Sequence, residues 1–273
     1  MIELLALSLT LAISQDTQLD TQIAPEASAR PSFGMGMPSE GGLPPFDQVS
    51  DGFDTVVSSV GGEGSMYTLY RDDSDHLLIE LSPDYEGLPI LIAYTVSSGI
   101  GESGVQVGDM YGYWTRIHDQ LVLVQPNLEV KSTGDEQSQS GTARVFTDKI
   151  ILDVPIISDG PNGGPVIDGT NLFLHNASNF FGPDVRGART DLAVLSKAKS
   201  FPTNVELTFE LPLPSGQFGS ISYSIRTVPK NDGYQPRAAD HRIGYFSTTH
   251  KDLGDASSDE MWVRYVNRWH LEK

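Results

Sequence analysis

Six histidines are the side chains in this chain best suited to bind a metal or to transfer protons. They are His76, His118, His175, His241, His250 and His270. None is followed by glutamate, so the chain lacks the His-Glu-x-x-His helix of zinc proteases, which places two imidazoles on one helix face beside a general base. The closest pair, His241 and His250, has Asp240 and Asp252 nearby. We interpret this group as surface loop residues rather than as a metal site.

No nucleophile or cofactor motif is complete. Cysteine is absent, which excludes thiolate nucleophiles and Cys-ligated zinc, and no Gly-x-Ser-x-Gly elbow occurs. Residues 99–104 fit Gly-x-Gly-x-x-Gly, but no helix follows them to hold a pyrophosphate at its N-terminus. We interpret them as a glycine-rich loop and assign no catalytic, cofactor-binding or metal-binding residue. With 36 acidic side chains, a carboxylate pair at glycosidase spacing stays open.

The composition excludes one class of partner and favours one fold class. The chain of 273 residues has 18 basic and 36 acidic side chains, a formal charge of −18 and a pI of about 4.5. Nucleic-acid binding is excluded because phosphate contacts need clustered Lys and Arg. The 27 glycines and 17 prolines are typical of short strands joined by turns, so we predict an all-β fold.

The first sixty residues are predicted to lie outside the folded domain. Residues 4–13 are apolar but too few to span a bilayer as a helix, and small residues at 12 and 14 fit a signal-peptidase site. We expect 1–14 to be a signal peptide, which predicts an exported protein, extracellular or periplasmic. The alternative is a buried N-terminal strand or helix. Residues 15–60 are rich in Pro, Gly and Ser without apolar periodicity, which predicts a disordered linker.

From 61 to 273 the pattern is of short strands. The predicted strands are 66–71, 76–82, 89–96, 111–117, 120–125, 149–157, 166–174, 205–211 and 221–225. One helix is predicted over 191–199, and 261–273 fits either a strand or a helix. We expect roughly ten strands, in an antiparallel sandwich or open barrel with at most one or two short helices.

Three motifs resemble one protein family. The pattern Pro-Arg-x-x-Asp-x-Arg-x-Gly-Tyr-Phe resembles a signature of large bacterial secreted zinc-dependent metalloproteases, near the end of their uncharacterised N-terminal domain. Its residues here are Pro236, Arg237, Asp240, Arg242, Gly244, Tyr245 and Phe246. The Arg-Trp-x-Leu-Glu-Lys segment that leads into their catalytic domain is similar to Arg268, Trp269, Leu271, Glu272 and Lys273. A strand entry in that family resembles Phe201, Pro202 and Asn204.

The resemblance implies a non-catalytic role for this chain. In that family a metzincin-like zinc site lies downstream, beyond the position of Lys273. We therefore expect 61–273 to be an accessory domain that acts in folding, inhibition or substrate presentation. The resemblance implies zinc only in that following domain, which would be the partner in cis, with a protein substrate as a second partner and no membrane span.

A free-standing extracellular module that binds peptide or carbohydrate is the alternative. It would use aromatic side chains such as Tyr111, Tyr113 and Trp114. An independent hydrolase with dispersed carboxylates is a third reading, but nothing in the sequence organises the acids.

The charged residues of the first motif suit a local network. A guanidinium pairs with a carboxylate through two parallel hydrogen bonds, so Arg237, Asp240 and Arg242 are expected to associate. Gly244 would allow a close turn, and Tyr245-Phe246 would anchor the motif in the core. We hypothesise that the network is a clasp between the β domain and the segment that follows it.

Overall fold

The computed structural model describes residues 42–56, 64–99, 103–229, 235–242, 246–254 and 261–267. The chain divides into a unit that ends at Gly42 and a second unit, Leu43–Lys273, which is described below. Within the described ranges the strands are β1 (Asp54–Thr55), β2 (Thr68–Arg71), β3 (Leu77–Glu80), β4 (Pro89–Ser98), β5 (Val105–Ile117), β6 (Gln120–Gln125), β7 (Val130–Lys131), β8 (Lys149–Asp159), β9 (Pro165–Asp168), β10 (Val194–Ser200), β11 (Asn204–Pro212), β12 (Phe218–Thr227), β13 (Ser247–Asp252) and β14 (Trp262–Val266). The α-helices are α1 (Phe46–Val49), α2 (Glu136–Val145) and α3 (Ser178–Phe181), with a π-helix at Asn171–His175 and 3₁₀ turns at Gly182–Val185 and Thr190–Leu192.

Eleven of these strands form one antiparallel sheet, in the order β1-β2-β3-β9-β8-β6-β5-β4-β12-β11-β10. The sheet curls into a half-barrel, so the predicted antiparallel all-β class, in its open-barrel form, is confirmed. Its two ends approach each other just before β2 and just after β10. There the amide of Met66 donates to the carbonyl of Phe201 at 2.7 Å, and the Ser200 hydroxyl donates to the carbonyl of Tyr67 at 2.6 Å.

The concave side of the sheet encloses an aromatic core. Alternate residues of β11 and β12 point inward because successive strand side chains face opposite sides. Tyr223 from β12 meets Phe173 of the π-helix, with ring centroids 4.9 Å apart, and Phe180 and Phe181 of α3, each 5.3 Å away. The Tyr223 hydroxyl donates to the carbonyl of Phe173 at 2.6 Å, which satisfies a polar group inside the core.

The strand pattern is confirmed where turn residues mark both ends. β11 and β12 pair in register from Asn204 opposite Arg226 to Pro212 opposite Phe218, as the alternation predicts. β5 and β6 flank the tight turn predicted at His118-Asp119, where His118 has a φ of 56°. The 99–104 motif leads into β5, not into a helix, as the sequence analysis expects.

The helix predicted over 191–199 is wrong. Residues Thr190–Leu192 form a 3₁₀ turn, and β10 follows from Val194. A register shift between Leu195 and Lys197 adds one residue to β10, so the inward positions are Leu195 and Ala198. That spacing of three imitates the period of a helix.

The strand predicted over 166–174 is only half right. β9 ends at Asp168, whose carboxylate accepts a hydrogen bond from the amide of Asn171 at 2.8 Å and so begins the π-helix. The consecutive residues Leu172, Phe173 and Leu174 are all buried because that helix fills the half-barrel. A continuous apolar run does not separate a buried strand from a buried helix.

The end of the predicted linker belongs to the folded unit. The range 43–56, predicted as part of the 15–60 linker, contains α1 and β1, and β1 pairs with β2. Phe46 packs against Tyr70 with ring centroids 5.0 Å apart, and the Ser158 hydroxyl donates to the carbonyl of Pro44 at 2.8 Å. The predicted signal peptide, 1–14, lies outside the described residues.

One carboxylate is fully buried. Glu80, at the end of β3, accepts hydrogen bonds from the Tyr70 hydroxyl at 2.8 Å and from the Asn162 amide and side chain at 2.6 and 2.8 Å. Burial and the adjacent Glu80 carboxylate raise the pKa of Tyr70. Glu80 thus fastens the β8–β9 turn to the body of the sheet.

In the described ranges, no helix has both the length and the apolar character to cross a bilayer.

Candidate functional site

A second, smaller sheet includes residues of the Pro236–Phe246 motif, which we call the central motif. It has the order β14-β13-β7, with β14 antiparallel and β7 parallel to β13. Residues 237–239 extend it beyond β14: the Ala239 amide donates to the Arg264 carbonyl at 2.8 Å, and the Val266 amide donates to the Arg237 carbonyl at 2.9 Å. The motif is therefore an added edge of this sheet.

The small sheet is tied to the loop before α2 by one carboxylate. Asp252, at the end of β13, accepts from the Thr133 amide and hydroxyl at 2.9 and 2.7 Å and from the Gly254 amide at 2.9 Å. These hydrogen bonds lower the pKa of Asp252 to about 2. Because the pKa of Asp252 in the folded chain lies below its ordinary value of 3.8, this stabilisation is present above pH 3.8 and is lost as the pH falls through about 2.

The two faces of the small sheet differ in character. On one face the His250 ring is stacked on Tyr265, with centroids 5.7 Å apart, and His250 is only 7% exposed. On the other face the cross-strand pairs Thr249–Arg264 and Lys251–Trp262 point away from that buried side. The second face is the one open to a ligand.

A groove of about 680 Å³ runs over the open face. Its lining residues are Ala239, Asp240, His241, Thr249, Trp262 and Arg264. Trp262 is 63% exposed and its neighbour Met261 is 40% exposed. Such a volume is in the range of small-molecule and peptide sites. Thr249, Trp262 and Arg264 come together only through strand pairing, which the linear sequence pattern does not reveal.

The predicted charge network is present in part. Asp240 accepts from Arg242 through both carboxylate oxygens, from Nε at 2.9 Å and from Nη2 at 2.7 Å. These bonds lower the pKa of Asp240 and raise that of Arg242, and Arg237 adds a weaker electrostatic contribution to the lowering at Asp240. The pair is exposed and joins residues two apart, so it shapes the local loop and is a weak candidate for a clasp between domains.

The remaining motif residues are dispersed or outside the description. Phe246 is 73% exposed, so the prediction that it anchors the motif in the core is wrong. Pro236 is an exposed residue of the added edge. Phe201, Pro202 and Asn204 form the β10–β11 turn of the large sheet, where the Phe201 amide donates to the Asn204 carbonyl at 2.7 Å. Gly244, Tyr245, Arg268, Trp269, Leu271, Glu272 and Lys273 lie outside the described residues.

The aromatic residues proposed for a binding module separate into two groups. Trp114 is 2% exposed, and its Nε1 donates to the Tyr67 hydroxyl at 3.2 Å, so it is a core residue. Tyr111 and Tyr113 point to the opposite side of β5, where both are half-buried. The Tyr113 hydroxyl donates to Asp148 at 2.9 Å.

Metal-binding residues are not gathered anywhere in the described ranges. No group of three or more His, Cys, Asp or Glu side chains there is placed to hold an ion. His241 and His250, the closest histidine pair in the sequence, lie on different faces: His241 is exposed at the groove, and His250 is buried against Tyr265.

A separate ion pair joins the β2–β3 hairpin to the end of β9. Nε2 of His76 lies 3.0 Å from Oδ1 of Asp168, and the His76 ring meets Phe53 edge-on at 5.7 Å. The Asp168 contact raises the pKa of His76 despite the opposing effect of burial. Burial opposes the shift at Asp168, but His76 and the Asn171 amide lower its pKa.

We expect the stability of the protein to depend on this pair. His76 has a raised pKa, so its contribution to stability is full below the ordinary histidine pKa of 6.5 and is lost as the pH rises through the raised value. Asp168 has a lowered pKa, so its contribution is present above 3.8 and is lost as the pH falls through the lowered value. His76→Gln should therefore lower the urea midpoint at pH 5.5 more than at pH 8.5.

A double-mutant cycle checks that assignment. In an Asp168→Asn background, which keeps the side-chain oxygen that accepts from Asn171, His76→Gln should shift the urea midpoint equally at both pH values. An unchanged pH dependence in the doubly substituted chain would show that another group is responsible.

Comparison with known proteins gives a family but no activity. A family model described as "Domain of unknown function (DUF5117)" matches residues 104–273, more than half of the chain. The matched range contains the small sheet, the groove and the three motif segments. Neither curated proteins nor solved structures gave a match. The chain belongs to the family of the domain of unknown function DUF5117.

Proposed function

We propose that the chain is the non-catalytic accessory domain of an exported zinc-dependent metalloprotease. In this proposal a zinc-binding catalytic domain follows in cis, and the small sheet is the surface that contacts it. The motif resemblance supplies the class of enzyme. The exposed apolar residues beside the groove support it.

The exposed indole of Trp262 is the observation that carries the proposal. Contiguous exposed apolar surface marks interaction sites, and tryptophan is enriched at the centres of protein interfaces. Trp262 is 63% exposed, and the adjacent Met261 adds apolar surface. Trp262 begins β14 of the small sheet and Met261 directly precedes it, within the part of the chain nearest to the proposed following domain.

The experiment begins with the coding sequence beyond Lys273. We expect the open reading frame to continue into a His-Glu-x-x-His segment. The longer product and the 1–273 chain would then be made with Trp269→Phe, each with and without Trp262→Phe, so that the difference between the two spectra of each pair is the emission of Trp262. Acrylamide should quench Trp262 several-fold less in the longer product, because the following domain covers it.

The buried Trp114 and a Trp262→Phe variant give the controls. Trp114 should resist quenching in both chains because it is fully enclosed. The Trp262→Phe spectra give the background of all other tryptophans, which is subtracted separately in each chain. A stop codon after Lys273, or equal quenching of Trp262 in both products, would refute the accessory role.

A peptide- or carbohydrate-binding module is the second candidate. Tyr111 and Tyr113 share the outer face of β5, and Tyr111 lines a cavity of about 230 Å³ with the polar residues Asn127 and Lys149. Aromatic faces beside polar side chains suit such ligands. A stop codon after Lys273 in a secreted, stable product would move this candidate ahead.

A further inference from the structure

The groove of the small sheet differs in charge from the rest of the chain. The whole chain carries a net charge of −18. The described residues in 235–242, 246–254 and 261–267 include four cations and two carboxylates: Arg237, Arg242, Lys251, Arg264, Asp240 and Asp252. The described residues of these segments are therefore net basic, in contrast to the chain as a whole.

Both carboxylates of this surface are already engaged, whereas two of its four described cations, Lys251 and Arg264, are not. Asp240 is held by Arg242, and Asp252 by Thr133 and the Gly254 amide. Among the residues that the structure describes, the side chains of Lys251 and Arg264 have no hydrogen-bond or ion-pair partner. Their charges remain available to a ligand.

The groove combines these charges with an aromatic wall. Arg264 and Thr249 are cross-strand partners on the open face, and Trp262 and His241 line the same groove. A guanidinium recognises a carboxylate through paired hydrogen bonds, and the indole offers apolar contact area that loses little side-chain entropy. Strand pairing holds Arg264 and Thr249 in place before a ligand arrives.

We propose that this groove binds an acidic peptide segment of a polypeptide partner. A carboxylate of the segment pairs with Arg264 and accepts from the Thr249 hydroxyl, and an apolar side chain of the segment packs on Trp262. Only the source of the segment rests on the accessory role proposed above. In that role the segment belongs to the following domain. A covalent link then raises its effective concentration to about the millimolar range, so modest intrinsic affinity suffices.

The test uses the 1–273 chain and a labelled peptide. The probe is a fluorescein-labelled Glu-Glu-Leu-Glu-Glu peptide, and its Gln-Gln-Leu-Gln-Gln counterpart is the comparison. Fluorescence anisotropy is measured at 0.15 M salt, where charges more than about 8 Å apart are largely screened and the chain's other carboxylates repel the peptide little. We expect the acidic peptide to bind at least about tenfold more tightly than the amide peptide.

Variants locate the binding. Arg264→Gln should weaken binding of the acidic peptide by about tenfold or more, and Thr249→Val should weaken it by a smaller factor. Arg226→Gln is the matched control, because Arg226 is an exposed arginine on the large sheet and should not affect binding. Equal binding of both peptides, or an unchanged affinity in Arg264→Gln, would overturn the proposal.

Two further outcomes would name a different occupant. The sequence between Gly254 and Met261 contains Asp255, Asp259 and Glu260, which lie outside the described residues. If the peptide binds only after these three are changed to Asn, Asn and Gln, the chain's own acidic residues occupy the groove and the partner proposal fails. If a single-stranded oligonucleotide binds as tightly as the peptide, the groove is a general polyanion site and the proposal also fails.

The inference and the accessory role fail in different ways. The peptide assay uses only the 1–273 chain, whereas the reading-frame experiment needs the longer product. Peptide binding with a stop codon after Lys273 would refute the accessory role and leave the acidic-peptide groove standing.

Discussion

Glu80→Ala is expected to lower the free energy of unfolding by about 3–5 kcal/mol, because a buried donor left without its acceptor costs about 1–3 kcal/mol. Three donors point at this carboxylate: the Tyr70 hydroxyl, the Asn162 amide and the Asn162 side chain. The space has little room to rearrange, since a Cβ at Gly160 would already lie 2.2 Å from the Glu80 side chain. Urea-induced unfolding of the unchanged chain and of Glu80→Ala measures this difference in the free energy of unfolding.

Two variants test whether the buried hydrogen bonds are the cause. Glu80→Gln keeps the shape and one acceptor, so it should cost less than Glu80→Ala but more than a surface change. Glu210→Ala removes an exposed glutamate from β11 and should change the unfolding free energy by no more than about 0.5 kcal/mol. A Glu80→Ala cost within that surface range would contradict the structural role given to Glu80.

The stability lost in Glu80→Ala should be greatest at β2 and at the β8–β9 turn, which the Glu80 side chain connects. The Asn162 contacts belong to the β8–β9 turn, and the Tyr70 contact belongs to β2, so Glu80 joins two parts of the sheet that are distant in sequence. A charged residue in a strand would normally be placed on the solvent side by its sequence pattern. The burial of Glu80 depends on partners that no local pattern reveals.

Local signals were sufficient where the strand period was regular. Alternation over β11 and β12, bounded by turn residues, predicted both strands and their pairing. The same rule failed at β10, where the bulge after Leu195 changed the spacing of inward residues from two to three. It also failed at Leu172–Leu174, because a helix enclosed by the half-barrel is buried on all sides.

Helix α2 is not among the elements that the sequence pattern predicts. Its sequence is polar and Thr142 is its only buried residue, so apolar periodicity could not predict it. The N-cap residue Asp135 was the available signal: its carboxylate accepts from the Ser138 amide at 2.8 Å, as at many helix starts. A polar helix of this kind depends on packing, and α2 packs beside β7 of the small sheet.

The motif resemblance identifies only part of the candidate groove. The central motif supplied one of its walls, Ala239–His241, but not Thr249 or the Trp262–Arg264 segment. These residues join the motif through backbone hydrogen bonds between segments that are not adjacent in sequence. A linear sequence pattern does not encode such pairing.

The small sheet should lose its order when Gly254 is replaced by alanine. A Cβ at Gly254 would lie 2.1 Å from the Gly134 nitrogen and 2.6 Å from the Thr133 nitrogen, and backbone atoms cannot move aside as a side chain can. The same contact brings Thr133 to Asp252, so both hydrogen bonds between them should be lost. We expect a local cost of about 3 kcal/mol, which corresponds to about a hundredfold faster hydrogen exchange in β13.

The matched control is Gly141→Ala in α2. Gly141 is exposed, and a Cβ there would meet nothing within 4 Å, so alanine should stabilise the helix by about 0.5–1 kcal/mol. Gly254→Ala should also weaken acidic-peptide binding, because β13 and β14 no longer hold Thr249 and Arg264 together. Exchange in β11 and β12 should stay unchanged, since the large sheet has its own core. Equal exchange in β13 of Gly254→Ala and the unchanged chain would mean that the close approach of Gly254 and Gly134 does not hold the groove.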